Sequence, residues 1–389
     1  MRPRIAVISQ QYGTLGGGEI FAREVTERIA RTGKFDMHVF SRKWESECRE
    51  VTFHRVPMWG VPRQLIPTAF AWMASRMARR MGFDLVHAQS RVADADVFSV
   101  HWCPHAFWTR DILKRKPRWS DRLRMRLDEG MLRGAANRVY MPVSAFQQQI
   151  FQSEYGALPG EWRVVHPGVH LEAFAPEVLQ PLRAPTRAAL GLPADAMVIL
   201  FVGMNFESKG LETIIRAVGL LKSRHPAGRA HVLVVGKGDE SRFRRIAVEA
   251  GCADAITFAG AHRDGLSRFH AAADVFAMPA SFETFSMATL EAMAAGLPVV
   301  ISDRMGVRDL VRDGENGFVV VTKERVEACG NRLARLLHEG ARRAMGDSAR
   351  RTAQEHAWDR VAAEIIDIYE RNMRCNRMKG FELLEGVHT

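Results

Sequence analysis

The sequence is poor in cysteine and has no long apolar run. Its five cysteines are scattered and never stand at CxxC spacing: Cys48, Cys103, Cys252, Cys329 and Cys375. This usage argues against a disulfide framework or a structural zinc site, and it favours a reducing compartment. No stretch approaches the roughly 20 apolar residues of a membrane-spanning helix. The stretch MRPRIAVISQQYG turns polar too early for a signal peptide, so we expect a first strand there and a cytoplasmic protein.

Motifs typical of RNA- or DNA-binding proteins are also missing, although the formal net charge is +11 at pH 7. We therefore expect no nucleic-acid partner. The positive charge is concentrated in residues 104–126, where eight Lys or Arg and two Asp are interleaved with Phe107, Trp108 and Trp119. Such a segment fits a peripheral contact with an anionic membrane surface or the recognition of a phosphorylated sugar. A solvated positive face is the alternative.

Length and composition predict a globular chain with two domains. The chain has 389 residues, of which 47% are hydrophobic and 25% charged. Apolar runs alternate with amphipathic helices, a pattern typical of parallel sheets covered on both faces. The pattern restarts after a Pro-rich stretch near Leu182–Pro185, which we interpret as a linker.

The predicted fold class is therefore α/β, with two doubly wound, Rossmann-like parallel-sheet domains facing a central cleft. The predicted domains are a first Rossmann-like domain at 1–180 and a second one at 186–357. A C-terminal helix at 358–389 is predicted to cross back to the first domain. In such sheets ligands bind beyond the carboxyl ends of the strands, so functional residues are expected on the loops that follow them.

The first such loop is rich in glycine. Gly16, Gly17 and Gly18 directly precede a predicted helix, and a helix N-terminus with unpaired N–H groups attracts anions. A dinucleotide-binding site is the rival interpretation. It is disfavoured because the spacing is not GxGxxG and because the second strand ends in Ser41-Arg42-Lys43 where an acidic residue is expected. A tight turn without a ligand is the other alternative.

Three charged residues in the second half stand where they can meet a ligand. Lys209 lies between the first strand of that half and the next helix, where its ammonium suits a pyrophosphate. Glu283 lies in the loop after the strand at 275–279, beside a helix N-terminus formed by Phe285, Ser286 and Met287. Glu291 lies inside that small, apolar helix. Carboxylates suit the paired hydroxyls of a sugar or ribose, whereas a dipole-complementing charge and a buried salt bridge are the structural alternatives.

Two further features of the first half concern chemistry. His101 follows a predicted strand and is expected to enter the cleft, although a lone histidine is often a packing residue. Asp94-Ala95-Asp96 spells DxD, a triplet that binds metal in some enzymes, but it precedes a strand instead of following one. We therefore expect no metal site.

The segment SFETFSMATLEAMAAGLPVV resembles the E-x7-E region of the retaining glycosyltransferases of family 4, which have the GT-B fold. Other stretches resemble landmarks of that family in order: GGGE, VVHPGVHLEAF, FVGMNFESKG, VVGKGDE, FAGAHRD, AAADVFAMPA and VRDGENGFVV. In layout the chain is similar to bacterial lipopolysaccharide core α-glucosyltransferases.

The resemblance implies that 1–180 is the acceptor-side domain and 186–357 the nucleotide-sugar-binding domain, and it also implies roles for these residues. Glu291 would hold the ribose of a nucleotide sugar, and Glu283 the transferred sugar with help from the backbone at Phe285, Ser286 and Met287. Lys209 and the amides of Gly16 and Gly17 would bind the pyrophosphate, and His101 would touch the sugar. Family members pair the lysine with an arginine just upstream, where this chain has Asn205 and Ser208. Either Arg263 or Arg304 would substitute, or the leaving group would be stabilised less.

The resulting expectation is a metal-independent, retaining transferase. It would move a hexose, with glucose favoured by resemblance, from a UDP-sugar to a glycolipid or lipopolysaccharide-type acceptor, without a separate cofactor. The protein would lie in the cytoplasm or peripherally on the inner face of the cytoplasmic membrane. The alternatives are a nucleotide-sugar epimerase of GT-B fold and a non-catalytic nucleotide-binding subunit.

Overall fold

The computed structural model describes residues 2–14, 16–92, 94–133, 138–226, 228–262, 264–321 and 325–385, with side chains described as far as Cys375. The chain forms two compact units. The first unit consists of Met1–Gly168 with Trp358–Thr389, and the second unit of Val169–Ala357. None of the helices in the described ranges combines the length and the hydropathy that a bilayer-crossing segment needs.

Parallel strands form the centre of the first unit. They are β1 (Arg4–Ile8), β2 (Gln11–Tyr12), β3 (Asp36–Ser41), β4 (Lys43–Trp44), β5 (Val51–Arg55), β6 (Leu85–Ala88), β7 (Val97–Val100), β8 (Val139–Pro142) and β9 (Glu161–Trp162). Seven of the described strands make one sheet in the order β5-β3-β1-β6-β7-β8-β9, and β2 pairs with β4. The strand order reverses between β1 and β6, so this is where a doubly wound sheet opens its ligand crevice.

Helices cover this sheet, as the apolar periodicity predicts. They are α1 (Gly17–Arg31), α2 (Ile66–Met81), α3 (His105–Phe107), α4 (Trp119–Leu132) and α5 (Ala145–Tyr155), and a π-helical turn follows α3 at Trp108–Ile112. Helix α2 is one of the amphipathic helices. It buries Phe70, Ala71, Ala74 and Ala78 because their spacing places them on one helical face.

The second unit repeats the architecture. Its strands are β10 (Met197–Met204), β11 (Ala230–Lys237), β12 (Ile256–Gly260), β13 (Val275–Met278), β14 (Val299–Ser302) and β15 (Gly317–Val320). Within the described part they form a parallel sheet in the order β12-β11-β10-β13-β14-β15. The four residues VILF at 198–201, in the middle of β10, are all buried, as expected for a strand covered on both faces. The order reverses between β10 and β13, the strands that carry Lys209 and Glu283 on their exit loops.

The helices of the second unit correct one prediction. They are α6 (Pro176–Ala189), α7 (Leu211–Arg224), α8 (Glu240–Glu249), α9 (Ser267–Ala272), α10 (Met287–Ala294), α11 (Arg325–Leu336) and α12 (Glu339–Gln354). The Pro-rich stretch interpreted as a linker lies inside α6, so that prediction is wrong. Arg183 and Arg187 of α6 both pair with Asp274 at 2.6 Å and cap backbone carbonyls between 271 and 273, which fixes the helix despite its prolines. The units divide earlier, after Gly168.

The last helix, α13 (Trp358–Glu385), packs in the first unit although it follows the second along the chain. Its buried Trp358 contacts the ring of Phe21 on α1 edge-on, with centroids 5.7 Å apart. Farther along, Tyr369 reaches His87 of β6 at 2.5 Å. Apolar burial and one buried hydrogen bond therefore attach this helix to the first sheet.

Candidate active site

The switch point of the second sheet brings two loops together. One loop follows β10 and carries Lys209, and the other follows β13 and carries Glu283. Ser281 ties the loops by donating from its backbone N–H and its hydroxyl to the carbonyl of Ser208, at 2.8 and 3.0 Å. Residues that are 74 positions apart in sequence thus become neighbours because β10 and β13 pair side by side.

The backbone conformation of the loop after β10 sets the direction of the Lys209 side chain. Asn205 has a positive φ of 63°, and its side chain accepts from the backbone N–H of Ser208, forming the turn after β10. Gly210 has φ of 82° and packs so tightly against the carbonyl of Pro279 that any side chain would collide with it. The stem of Lys209 lies over Gly203. Its ammonium group therefore reaches the next loop, where it forms an ion pair with the carboxylate of Glu283.

Backbone hydrogen bonds to a neighbouring loop fix the position of Glu283. Its N–H donates to the carbonyl of Arg304 at 3.0 Å, and its carbonyl accepts from the N–H of Gly306 at 3.0 Å. A short parallel bridge with Met305 results. The loop after β14 therefore fixes the backbone of Glu283, while the side chains of Glu283 and Lys209 remain only half-buried.

Helix α10 begins at a strained residue. Ser286, its N-cap, has φ of 119°, a region that favours glycine, and its hydroxyl pairs with the hydroxyl of Thr289 at 2.8 Å. Phe285 is buried, and its carbonyl accepts from Val307 at 3.1 Å. Met287 is the first residue of the helix. The first turn of α10, with the backbone donors of a helix N-terminus, therefore stands next to Glu283.

Glu291 lies one turn into α10 among buried apolar neighbours. Its own side chain is half-buried, and desolvation raises the pKa of its carboxyl from 4.5 to about 7. The imidazole of His170 lies close enough to oppose this rise weakly. No local signal in the sequence marked His170 as part of this site. Its place follows from the contact between α10 and the short helical turn Leu171–Phe174.

The positions just upstream of Lys209, where the second phosphate-binding cation is expected, carry no Arg or Lys. Ser208 and Asn205, which occupy the expected arginine's region, are used in the turn and in the loop contact described above. Arg304 contributes its backbone carbonyl next to Glu283. Arg263 lies outside the described residues.

In the first unit, the glycine-rich loop and the histidine come together. Gly16 is the N-cap of α1 and Gly17 its first residue. The ring of His101 lies against Gly18, where a Cβ would be only 3.1 Å from its Cγ, and meets Phe21 edge-on at 4.7 Å. Burial lowers the pKa of His101 to about 4, so the ring is neutral at physiological pH. Its Nε2 pairs with Oε1 of Gln89 at 2.8 Å.

The DxD triplet is used for structure. Asp94 forms ion pairs with Arg79 and Arg138, and Asp96 accepts from the backbone N–H of Val86 at 2.7 Å. Across the described ranges, no cluster of three or more His, Cys, Asp or Glu side chains is arranged to hold a metal ion.

The basic segment at 104–126 is an ordered, charged surface of the first unit. Its buried Asp121 pairs with Arg115 at 2.6 Å, and this guanidinium holds the pKa of the Asp121 carboxyl well below its ordinary range. His105 and the backbone of Arg118 bind the same carboxylate. The exposed basic side chains are Arg110, which pairs with Glu154, and Lys114, Lys116, Arg118, Arg122 and Arg126, with Trp119 57% exposed among them.

Comparisons with known proteins agree with one another. The family described as "Glycosyltransferase Family 4" matches residues 15–173, and "Glycosyl transferases group 1" matches residues 183–352. A relative from Streptomyces griseus subsp. griseus, named D-inositol 3-phosphate glycosyltransferase, is 30% identical over 93% of this chain and 82% of its own length.

Solved structures have the same fold. WaaG, a glycosyltransferase involved in lipopolysaccharide biosynthesis, matches with a TM-score of 0.78 and 21% identity over 94% of this chain and 99% of its own. Anabaena Alr3699/HepE, solved in complex with UDP-glucose, matches with a TM-score of 0.70 and 17% identity over 95% of this chain and 100% of its own.

Proposed function

Because the chain belongs to glycosyltransferase family 4 and is a transferase with the GT-B fold, we propose that it moves a hexose from a UDP-sugar to a glycolipid or lipopolysaccharide-type acceptor. Glucose or a related hexose is the proposed sugar, and the anomeric configuration is retained. The proposed setting is cell-envelope polysaccharide synthesis, in the cytoplasm and at the inner face of its membrane.

One observation carries the proposal: the half-buried Lys209–Glu283 pair stands beside the N-terminus of α10, with Glu291 one turn farther on. The arrangement lies at the switch point of the second sheet, where open α/β folds bind nucleotides. Support for the substrates comes from the UDP-glucose complex of the HepE neighbour and the lipopolysaccharide role of WaaG.

In the proposed reaction, the bond from the anomeric carbon to the diphosphate oxygen breaks while the acceptor oxygen bonds to that carbon on the same face. Negative charge grows on the departing diphosphate, which takes up the proton of the acceptor hydroxyl. The ammonium of Lys209 and the backbone donors of Phe285, Ser286 and Met287 stabilise that charge without a metal. When the donor is absent, Glu283 holds Lys209. When it is bound, a phosphate oxygen takes the ammonium and Glu283 turns to the sugar hydroxyls.

The resemblance to family 4 supports the remaining proposed roles. Glu291 receives the ribose hydroxyls, because a carboxylate accepts from both at once. In the first unit, the amides of Gly16 and Gly17 at the start of α1 bind diphosphate, and His101 contacts the transferred sugar. We assign the catalytic step to Lys209, Glu283 and His101.

We further propose that residues 104–126 place the protein on anionic lipid, close to a lipid-borne acceptor. The exposed cations and Trp119 have the character of an interfacial segment, and each Lys or Arg near such a surface contributes about 1 kcal/mol. A second acceptor class, a phosphorylated polyol, is suggested by the name of the Streptomyces relative.

A donor screen followed by transfer assays tests the proposal. We expect UDP-glucose or a related UDP-hexose to raise the melting temperature more than GDP- or ADP-sugars, since a bound donor stabilises the fold by mass action. Transfer is then measured with glycolipid, lipopolysaccharide-type and inositol phosphate acceptors, with and without EDTA. NMR of the product should show the α-linkage of the donor.

Site variants separate the alternatives. We expect Glu283→Ala to lower kcat strongly and Glu291→Ala to raise mainly the donor KM. Normal turnover in both variants would place the active site elsewhere. An epimerase would convert the free UDP-sugar without any acceptor, and a binding subunit would show stabilisation by donor but no product.

A further inference from the structure

A chain of buried polar side chains runs from His101 into the interior of the first unit. Nε2 of His101 pairs with Oε1 of Gln89 at 2.8 Å, and Nε2 of Gln89 lies 3.3 Å from Nε2 of His87. His87 also meets the hydroxyl of Ser99 at 2.8 Å and that of Tyr369 at 2.5 Å. Gln89, His87, Ser99 and Tyr369 are all buried, so these groups are paired with one another instead of with bulk water.

The pairing fixes the direction of each hydrogen bond. The amide nitrogen of Gln89 and the hydroxyl of Ser99 both donate to Nε2 of His87, so this nitrogen carries no hydrogen. The hydrogen of His87 is then on Nδ1, which donates it to the Tyr369 hydroxyl of α13. Burial lowers the pKa of His87 to about 3, which keeps the ring neutral and preserves this order.

The same order determines the state of His101. The amide oxygen of Gln89 can only accept, so Nε2 of the neutral His101 ring must carry the hydrogen. Nδ1 is then an acceptor. The Cδ2 side of the ring rests against Gly18, so Nδ1 lies on the opposite edge, and it has no hydrogen-bond partner among the residues that the structure describes.

We propose that Gln89 is a positioning residue, which holds His101 in the Nε2–H tautomer so that Nδ1 accepts a hydrogen bond from a hydroxyl of the transferred sugar. This inference rests on the proposed sugar contact of His101. It adds a residue that the sequence motifs did not mark, and it assigns a direction to the contact: the sugar hydroxyl donates. Through His87, it also connects the site to Tyr369 on the C-terminal helix.

The tautomer is measured without any substrate. Nitrogen-15 NMR of labelled imidazoles distinguishes protonated from unprotonated ring nitrogens, and a His101→Asn spectrum identifies the His101 signals among those of 14 histidines. We expect Nε2–H in the unmodified protein. Gln89→Leu removes the acceptor and should shift His101 toward Nδ1–H. Gln89→Glu retains an acceptor and should keep Nε2–H.

Kinetics test the consequence. Losing one neutral hydrogen bond to the sugar should lower kcat of Gln89→Leu by about threefold to tenfold, with a smaller change in donor KM. Gln89→Glu should recover most of this loss. Gln147→Leu is the matched control, because it removes another buried amide of the same unit that bonds to Val143 and Trp102 and not to the His101 ring.

Several results would overturn the inference. They are an Nδ1–H tautomer in the unmodified protein, an unchanged tautomer in Gln89→Leu, or full turnover in a Gln89→Leu protein whose tautomer has changed. Failure of the proposed sugar contact looks different: His101→Asn would then turn over normally, while the NMR result for Gln89 would still hold. If the proposed function itself fails, the unmodified protein transfers no sugar, and the NMR result for Gln89 again still holds. A folding defect in Gln89→Leu would be recognised because this variant would lose the thermal unfolding transition that the Gln147→Leu control shows.

Discussion

Replacing Glu291 by glutamine should stabilise the protein at alkaline pH while it weakens the donor site. Burial raises the pKa of the Glu291 carboxyl from 4.5 to about 7. Between these values the unfolded chain is ionised while the folded state keeps its proton, so stability falls as pH rises from 4.5 through 7. At about 1.36 kcal/mol per pH unit, the penalty above pH 7 is about 3 kcal/mol. Glutamine carries no charge, so the Glu291→Gln variant does not incur this desolvation penalty.

The assay has to report on the second unit. All eight tryptophans and all four tyrosines lie outside residues 169–357, so intrinsic fluorescence follows only the first unit. Urea unfolding is therefore followed by pulsed hydrogen exchange and mass spectrometry of peptides from β10 and β11, at pH 4.5 and at pH 8. We expect Glu291→Gln to differ little from the unmodified protein at pH 4.5 and to be more stable by about 3 kcal/mol at pH 8.

A stability difference that is equal at both pH values would refute this reasoning, because only the ionisation of Glu291 makes it depend on pH. The matched control is Glu249→Gln, an exposed carboxylate of the same unit, which should change stability by less than about 0.5 kcal/mol at either pH. Donor affinity should move the other way. Loss of a charge-assisted acceptor should weaken UDP-sugar binding by about tenfold or more, as measured by calorimetry.

Three further outcomes are expected. Lys209→Ala should lower kcat by about a hundredfold or more, because one preorganised charge on the leaving group is lost, and Lys209→Arg should recover part of it in a transfer assay; equal activity of both would contradict this role. Ser286→Ala should destabilise the second unit by about 1 kcal/mol through loss of its N-cap, whereas Ser286→Gly should cost less because it relieves a φ of 119°; the reverse order in urea midpoints would be evidence against strain. Binding to vesicles containing phosphatidylglycerol should fall as salt rises and should weaken when basic residues in 104–126 become glutamate; salt-independent sedimentation would rule out an electrostatic contact.

Much of the site could be predicted because its elements are local. Apolar runs alternating with amphipathic periods predicted two parallel-sheet domains, and the strand expected at 275–279 is β13 (Val275–Met278). Once the strands are placed, parallel pairing puts their exit loops at one edge, so Lys209, Glu283 and the start of α10 could be assigned to a site before any contact was known. The resemblance to family 4 rested on these same positions.

Other features depend on contacts between distant parts of the chain. The Pro-rich stretch at 182–185 is helical because arginines of α6 bind Asp274, some 90 residues away. The raised pKa of Glu291 follows from desolvation, which the approach of His170 opposes, and neither effect is visible in the sequence around Glu291.

The sequence by itself determined which segments become strands and helices, and therefore where the loops with chemically active side chains lie, since these depend on residue periodicity over short distances. Only the tertiary structure decided which of those side chains meet. The Lys209–Glu283 pair and the path from His101 through Gln89 to Tyr369 exist because strand order and the return of α13 bring remote residues within hydrogen-bond distance.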